Sequence, residues 1–275
     1  MKKLLSIILT GVLAVGVLVG CGKNTNENKS SIEKIKAEGK VRIGVFSDKP
    51  PFGYVDEKGQ NQGYDVYLAK RIAEDLLGDE NKVEFVLVEA ANRVEYLQSN
   101  KVDIILANFT VTPERKEKVD FADPYMKVSL GVVSPDGSPI KSVDELKGKK
   151  LLVNKGTTAE SYFTKNYPEI ELVKFEQNTE TFAALKDGRG DALAHDNTLL
   201  FAWAKENPGY TTFISSLGDE DAIAPAVKKG DKELLEWLNK EIDKLTKEGF
   251  FKEAFDKTLA PAYGDTVKPE SVIFN

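Results

Sequence analysis

Thiol and imidazole are almost missing from this 275-residue chain, which holds one cysteine, Cys21, and one histidine, His195. A disulfide framework is therefore excluded, and so is a zinc site built mainly from Cys and His. A histidine-based triad has only His195 to draw on. Its acidic neighbour Asp196 is adjacent in sequence, where strand side chains point apart. No G-x-S-x-G elbow, no G-x-x-x-x-G-K-[ST] loop and no G-x-G-x-x-G turn occurs. The common signatures of hydrolases and nucleotide binders are absent, and no motif calls for a cofactor. Positive charge is also short: 38 Lys and Arg face 44 Asp and Glu, for a net charge of −6. That balance argues against a general nucleic-acid binder. Long apolar runs are missing after residue 20, so the body is expected outside a membrane.

What is present is a globular composition, 41% hydrophobic and 30% charged, long enough to bury its own core. Met1-Lys2-Lys3 opens the chain, and Leu4–Val19 follows without a charge. This reads as a secretory signal. Its end, Leu18-Val19-Gly20-Cys21, resembles the lipobox of bacterial lipoproteins. That resemblance implies cleavage after residue 20 and a lipid anchor on Cys21; the alternative is an ordinary signal with a chance cysteine. Loss of Lys2 and Lys3 on cleavage moves the net charge from −6 to −8. Residues 21–31 are polar after the cysteine and suit a flexible tether.

The body alternates short apolar runs with helical patterns. Val41–Phe46, Val83–Val88 and Val102–Ala107 read as strands, and Gly63–Leu77 and Asn92–Ser99 as helices. Thr112-Pro113-Glu114 is a helix start, with a hydroxyl cap, an N-terminal proline and an acid at the positive end. Tyr125–Val133 is a further strand. A second unit starts near Ser138. Ser142-x-x-Glu145 and Thr157-x-x-Glu160 have capping-box spacing. Leu151–Val153, Leu172–Phe175 and Ala192–Ala194 read as strands, and Thr179–Lys186 as a helix. Asp231–Leu259 reads as one long amphipathic helix, and Asp219-Glu220-Asp221 as a solvated turn. The alternation predicts an α/β fold with mostly parallel sheets in two lobes.

A free α-amino acid is a zwitterion and needs two opposed clamps. A guanidinium pairs bidentately with the carboxylate, helix N-terminal N–H groups add donors, and a carboxylate holds the ammonium. Arg115 lies in the first turn of the Thr112 helix. Gly156-Thr157-Thr158 opens a helix after the Val153 strand, and Asp196 follows the Ala192 strand. Strand carboxyl ends are where open α/β sheets bind ligands. Each residue also has a plainer role: Arg115 as surface charge, Thr157 and Thr158 as caps, Asp196 as a cap of the next helix. Arg93 follows a strand end. It either meets a ligand side-chain carboxylate or thiolate, or pairs with Glu89 or Glu95. His195 either lines the pocket or is structural.

The segments Pro50-Pro51-Phe52-Gly53-Tyr54, Gly63-Tyr64-Asp65, Thr110-Val111-Thr112-Pro113-Glu114-Arg115, Val119-Asp120-Phe121, Lys155-Gly156-Thr157-Thr158 and Gly190-Asp191-Ala192 resemble the family 3 extracellular solute-binding proteins. These are the amino-acid receptors of ABC importers. Glu89-Ala90-Ala91-Asn92-Arg93 and the His195–Trp203 stretch are most similar to the cysteine-binding lipoproteins among them. The resemblance implies a two-lobed, type II periplasmic-binding-protein-like fold with a cleft between lobes and two connecting strands, crossing near Lys127 and Ala222. Residues 32–126 and 223–275 would form lobe one, and 127–222 lobe two.

The resemblance also implies roles. Arg115 would bind the ligand carboxylate, Asp196 the ammonium, and Thr110 would offer a hydroxyl. Asn108 would offer its backbone carbonyl, and Thr158, beside Thr157, its backbone N–H. Lys49 stands where relatives often place an aromatic lid, with Phe52 close behind it as a ligand-facing residue. Ala90 is small where some relatives are aromatic. Both features disfavour large ligands. The implied function is capture of a free polar amino acid, cysteine first, with glutamate, aspartate or cystine as alternatives. Implied partners are the ligand, the membrane permease of an ABC importer, and the membrane through Cys21. A monomer without nucleic acid is expected. Other classes on this fold are dehydratases of cyclic amino-acid precursors and surface signalling proteins.

Overall fold

A computed structural model describes residues 29–274. The signal segment, Cys21 and most of the tether lie outside them. The tether's end is shorter than expected, because Ser30 caps a helix, Ser31–Glu38, in a capping box with Glu33. Two five-stranded sheets organise the rest.

In the first sheet Val83–Leu87, Val41–Val45 and Ile104–Ile105 run parallel. Ala226–Lys228 and Val119–Phe121 complete it, with Ala226–Lys228 antiparallel to both its neighbours. Helix Tyr64–Leu77 buries Leu68, Ala69, Ile72 and Ala73 at helical spacing in a cluster shared with Ile43 and Leu245. Phe46, Leu97, Ile105 and Phe109 form a separate cluster. In the second sheet Glu171–Phe175, Lys150–Asn154 and Ala192–Asp196 are parallel, and Met126–Pro135 and Tyr210–Ile223 are antiparallel additions. The sheets are therefore mixed rather than mostly parallel.

The chain passes from the first sheet to the second through Met126–Pro135 and returns through Tyr210–Ile223. The two strands pair with Lys127 opposite Ala222. Asp219-Glu220-Asp221 lies inside the returning strand, with Asp221 opposite Val128, rather than in a turn. Hydrophobic alternation is weak there, which hid the strand.

Two local expectations fail for backbone reasons. The Asp231–Leu259 pattern is broken: helix Lys232–Glu248 stops at Gly249, whose φ of 75° closes it in the left-handed conformation. Shorter turns follow. The Ser142 hydroxyl makes no cap bond, and Val143–Leu146 is only a 3₁₀ turn, while Glu145 accepts from the Lys141 N–H instead. A small antiparallel sheet of Asp48–Lys49, Gly53–Val55 and Asn61–Gln62 has strands too short to show in the hydrophobic pattern. It matters because it carries Lys49. No helix among the described residues is long and apolar enough to cross a membrane.

Candidate functional site

Four strand ends of the two sheets converge. Asn108 and Thr110 follow Ile104–Ile105, and Lys49 follows Val41–Val45. Gly156, Thr157 and Thr158 follow Lys150–Asn154, and Asp196 ends Ala192–Asp196. The carboxyl ends of parallel strands face one crevice, the general position for ligands in open α/β sheets. The crevice is narrow, with about 10 Å³ of free space, and is walled by Phe46, Lys49, Ala90, Arg93, Asn108, Thr110, Arg115, Thr157, Thr158, His195 and Asp196.

Arg115 is not a surface residue. Its backbone N–H donates to the Thr112 hydroxyl that caps its helix, which holds its Cα at the rim. Its Nη1 donates to the Thr110 carbonyl at 2.6 Å and its Nη2 to the Gly156 carbonyl of the facing sheet at 2.9 Å. Burial lowers its pKa to about 10, against the pull of Asp196, Asp221 and Glu114. Arg93 does not pair with Glu89 or Glu95. Its Nε donates to Ala90, its Nη1 to Ala107 and Asn108, and its Nη2 to Gly156, all backbone carbonyls. Both guanidinium carbons lie over the Phe109 ring, at 4.4 Å for Arg93 and 4.7 Å for Arg115, where the π-face favours cations. Burial and the nearby Arg115 push the Arg93 pKa well down.

Lys49 and Asp196 form an ion pair at 2.6 Å between side chains that are 2% and 6% exposed. A lysine is almost never this buried unless paired. Asp196 occupies the cap position of helix Asn197–Glu206 but makes no side-chain cap bond, so the capping role is set aside. Burial opposes ionisation of Asp196, yet the Lys49 ammonium holds it well below the usual carboxylate range. Burial and the Arg93 cation leave Lys49 lowered despite Asp196.

His195 accepts the Asp196 N–H on Nδ1 at 2.7 Å. Its proton is therefore placed on Nε2, which is buried without a partner. Burial and Lys49 lower its pKa, so the ring is neutral near pH 7.

Thr157 caps its helix, accepting from the Glu160 N–H, and donates to the Asn154 carbonyl. Thr158 begins that helix, placing an N-terminal N–H at the crevice. Asn108 has φ 42°, and its carbonyl accepts from Arg93. Its N–H donates to Asp65, whose other oxygen accepts from Tyr125. Burial raises Asp65 to about 7 against those hydrogen bonds. The Asn108 Oδ1 is buried without a partner.

Phe52 requires correction: it is fully buried in the core and does not wall the crevice. The Pro50-Pro51 turn carries its ring inward, with the Lys49 ammonium 5.6 Å from the ring centre. Phe46 faces the crevice instead. Its position at the end of the first strand run was a signal for it. Gly156 meets the other lobe closely, since a Cβ there would lie 2.5 Å from the Ala91 Cα. Among the described residues no group of three or more His, Cys, Asp or Glu lies placed to hold a metal ion.

Residues 41–260 match the family model of bacterial extracellular solute-binding proteins, family 3. The chain belongs to that family. It is 37% identical over 268 residues to the ABC transporter glutamine-binding protein GlnH of Bacillus subtilis, covering 94% of this chain and 98% of that protein. The solved structure of a solute receptor for L-cysteine of Neisseria gonorrhoeae is 63% identical, with a TM-score of 0.88 over 89% of this chain and 99% of that one. A cysteine-binding protein from Campylobacter jejuni is 66% identical, with a TM-score of 0.89 over 90% and 100%. This family 3 protein thus has the two-lobed type II fold and is an amino-acid-binding receptor of an ABC importer, acting outside the cytoplasm with a permease as its partner. Its relatives are solute-binding receptors rather than enzymes.

Proposed function

We propose that this receptor captures free cysteine and that its site is the crevice of Arg115, Asp196, Thr110, Asn108, Thr157, Thr158, Arg93 and Lys49. The observation that carries the reading is the opposed placement of Arg115 and Asp196 on facing lobes, within one small crevice. Arg115 and the Thr158 N–H receive the ligand carboxylate. Asp196, the Thr110 hydroxyl and the orphaned Asn108 Oδ1 receive the ammonium. The likeness to cysteine-binding structures at 63% and 66% identity supports the choice of ligand, and the small crevice with Ala90 in its wall agrees with it.

Lobe one comprises residues 32–126 and 223–275, and lobe two residues 127–222. Each lobe supplies charges that the other, or the ligand, must satisfy, so ligand shifts the population toward closure. Cys21 carries a lipid anchor after removal of residues 1–20. The receptor acts as a monomer.

The test is calorimetry of residues 22–275, refolded to strip ligand, against the common amino acids and cystine. Tight, selective cysteine binding is expected. Preference for glutamine, glutamate or aspartate would replace the ligand assignment while leaving the receptor role in place. Metabolic labelling with a fatty acid, compared with Cys21→Ala, tests the anchor.

A further inference from the structure

The crevice is unevenly charged. Its walls carry three cations, Lys49, Arg93 and Arg115, and one carboxylate, Asp196. A zwitterion adds no net charge, so the walls keep an excess of two positive charges: Arg93 has no counter-charge there, and Lys49 shares Asp196 with the ligand ammonium. Leaving buried cations unmatched is costly. We infer that the ligand binds with an anionic side chain, and that cysteine is held as the thiolate, its thiol proton passing to solvent on binding. This rests on the cysteine reading proposed above.

The remaining cations lie together. The Lys49 Nζ is 5.3 Å and the Arg93 Cζ 5.6 Å from the Phe46 ring centre. His195, from the facing sheet, adds a buried Nε2–H donor without a partner and borders the same crevice. The hydrogen bonds distinguish a thiolate from a second carboxylate. Clamping a carboxylate takes two parallel N–H groups of one guanidinium. On Arg93 the Nε, Nη1 and Nη2 all donate to backbone carbonyls already. No open fork is left there for aspartate or glutamate. On Arg115 the Nε makes no hydrogen bond among the described residues, so that side chain remains suited to the α-carboxylate. A sulfur anion needs no planar fork. Lys49, with three rotatable donors, and the His195 Nε2–H supply single donors to it.

Other charges stand behind the walls rather than in them. Asp65 is engaged by Tyr125 and the Asn108 N–H. Asp221 and Glu114 flank Arg115 from outside the crevice. None of these three carboxylates lines the space a ligand side chain enters. All of them, with His195, act equally on cysteine and on serine, which differ only at the side-chain atom. Serine is therefore the control that isolates the thiol.

The experiment titrates the refolded chain with cysteine and with serine in buffers of differing ionisation enthalpy, from pH 6 to 8. Cysteine is expected to release about one proton more than serine does near pH 7. Its affinity relative to serine should rise about ten-fold per pH unit below the free thiol pKa of about 8.5. Thiolate ultraviolet absorbance should appear on binding. Equal proton release for the two ligands, with cysteine bound tightly, overturns the inference and leaves the ligand assignment intact. Failure to bind cysteine overturns the assignment itself. Lys49→Met separates the partner: its excess proton release at pH 7 should fall and its pH-dependent rise should move upward. An unchanged profile in that variant overturns the role given to Lys49.

Discussion

The Lys49 Nζ lies 2.6 Å from the Asp196 Oδ2, and the two side chains come from different sheets, 147 residues apart. A lysine ammonium therefore rests on the carboxylate assigned here to the ligand ammonium. One oxygen of Asp196 serves the protein's own cation, leaving the other for the ligand.

Lys49→Met tests that latch directly. Removing one partner of a buried pair costs about 3–5 kcal/mol, because the other charge is stranded. Opening the lobes hydrates Asp196 and avoids that cost. Ligand-free Lys49→Met is expected to show a larger radius of gyration by small-angle scattering than the parent. Adding Asp196→Leu should return it toward the parent value. Identical radii for the parent and Lys49→Met would show that the pair does not hold the lobes.

Arg115→Ala strands the ligand carboxylate in a site built to desolvate it. A loss of about 3–5 kcal/mol is expected, which is a weakening of affinity by about two to nearly four orders of magnitude. The melting temperature of the ligand-free chain should move little, since Arg115 bonds only to backbone carbonyls at the rim. Calorimetry and thermal unfolding together check both halves, and normal amino-acid binding by the variant would refute the site.

Gly156→Ala acts through the backbone. Gly156 has φ 74°, which costs a side-chain residue roughly 1–2 kcal/mol. The added Cβ would also meet the Ala91 N at 2.6 Å in the facing lobe. Only the closed arrangement suffers that second clash. Affinity should fall more than ten-fold with a small change in the stability of the open protein. Fluorescence or scattering with saturating ligand should report incomplete closure.

Asp65 sets a stability slope with pH. Its folded pKa of about 7 lies above its unfolded value, so the folded state binds the extra proton. That contribution is fully present below about pH 4 and is lost as pH rises through 7. Glu241, also raised to about 7 by burial and Asp75, slopes the same way. Asp65→Asn keeps an acceptor for the Asn108 N–H and removes only the Asp65 titration. Denaturant unfolding from pH 4 to 8 should show a shallower decline in the variant than in the parent.

Much of this molecule was legible from local chemistry. Helix Tyr64–Leu77 has its apolar residues at helical spacing and Gly78 in the left-handed conformation as its stop. The helix starts at Thr112 and Thr157 carry hydroxyl caps that form as their spacing implies. Arg115, Thr158 and Asp196 stand out in the sequence because they follow apolar runs, and strand ends are where open α/β sheets bind ligands. Those signals are encoded within a few residues, which is why one sequence suffices to read them.

The rest depended on partners far along the chain. Strand Tyr210–Ile223 has little alternation of its own and exists because Met126–Pro135 offers it an edge. Phe52 and Phe46 are both buried aromatic residues near one turn, and only the packed core decides which of them borders the crevice. Arg93 had carboxylates nearby in sequence, yet its donors go to carbonyls 3, 14, 15 and 63 residues away. Lys49 finds Asp196 across 147 residues. The sequence by itself determined the elements, their caps and the charges available. Tertiary structure alone decided which charges share a desolvated space, because that depends on distance and burial, and neither is a property of neighbouring residues.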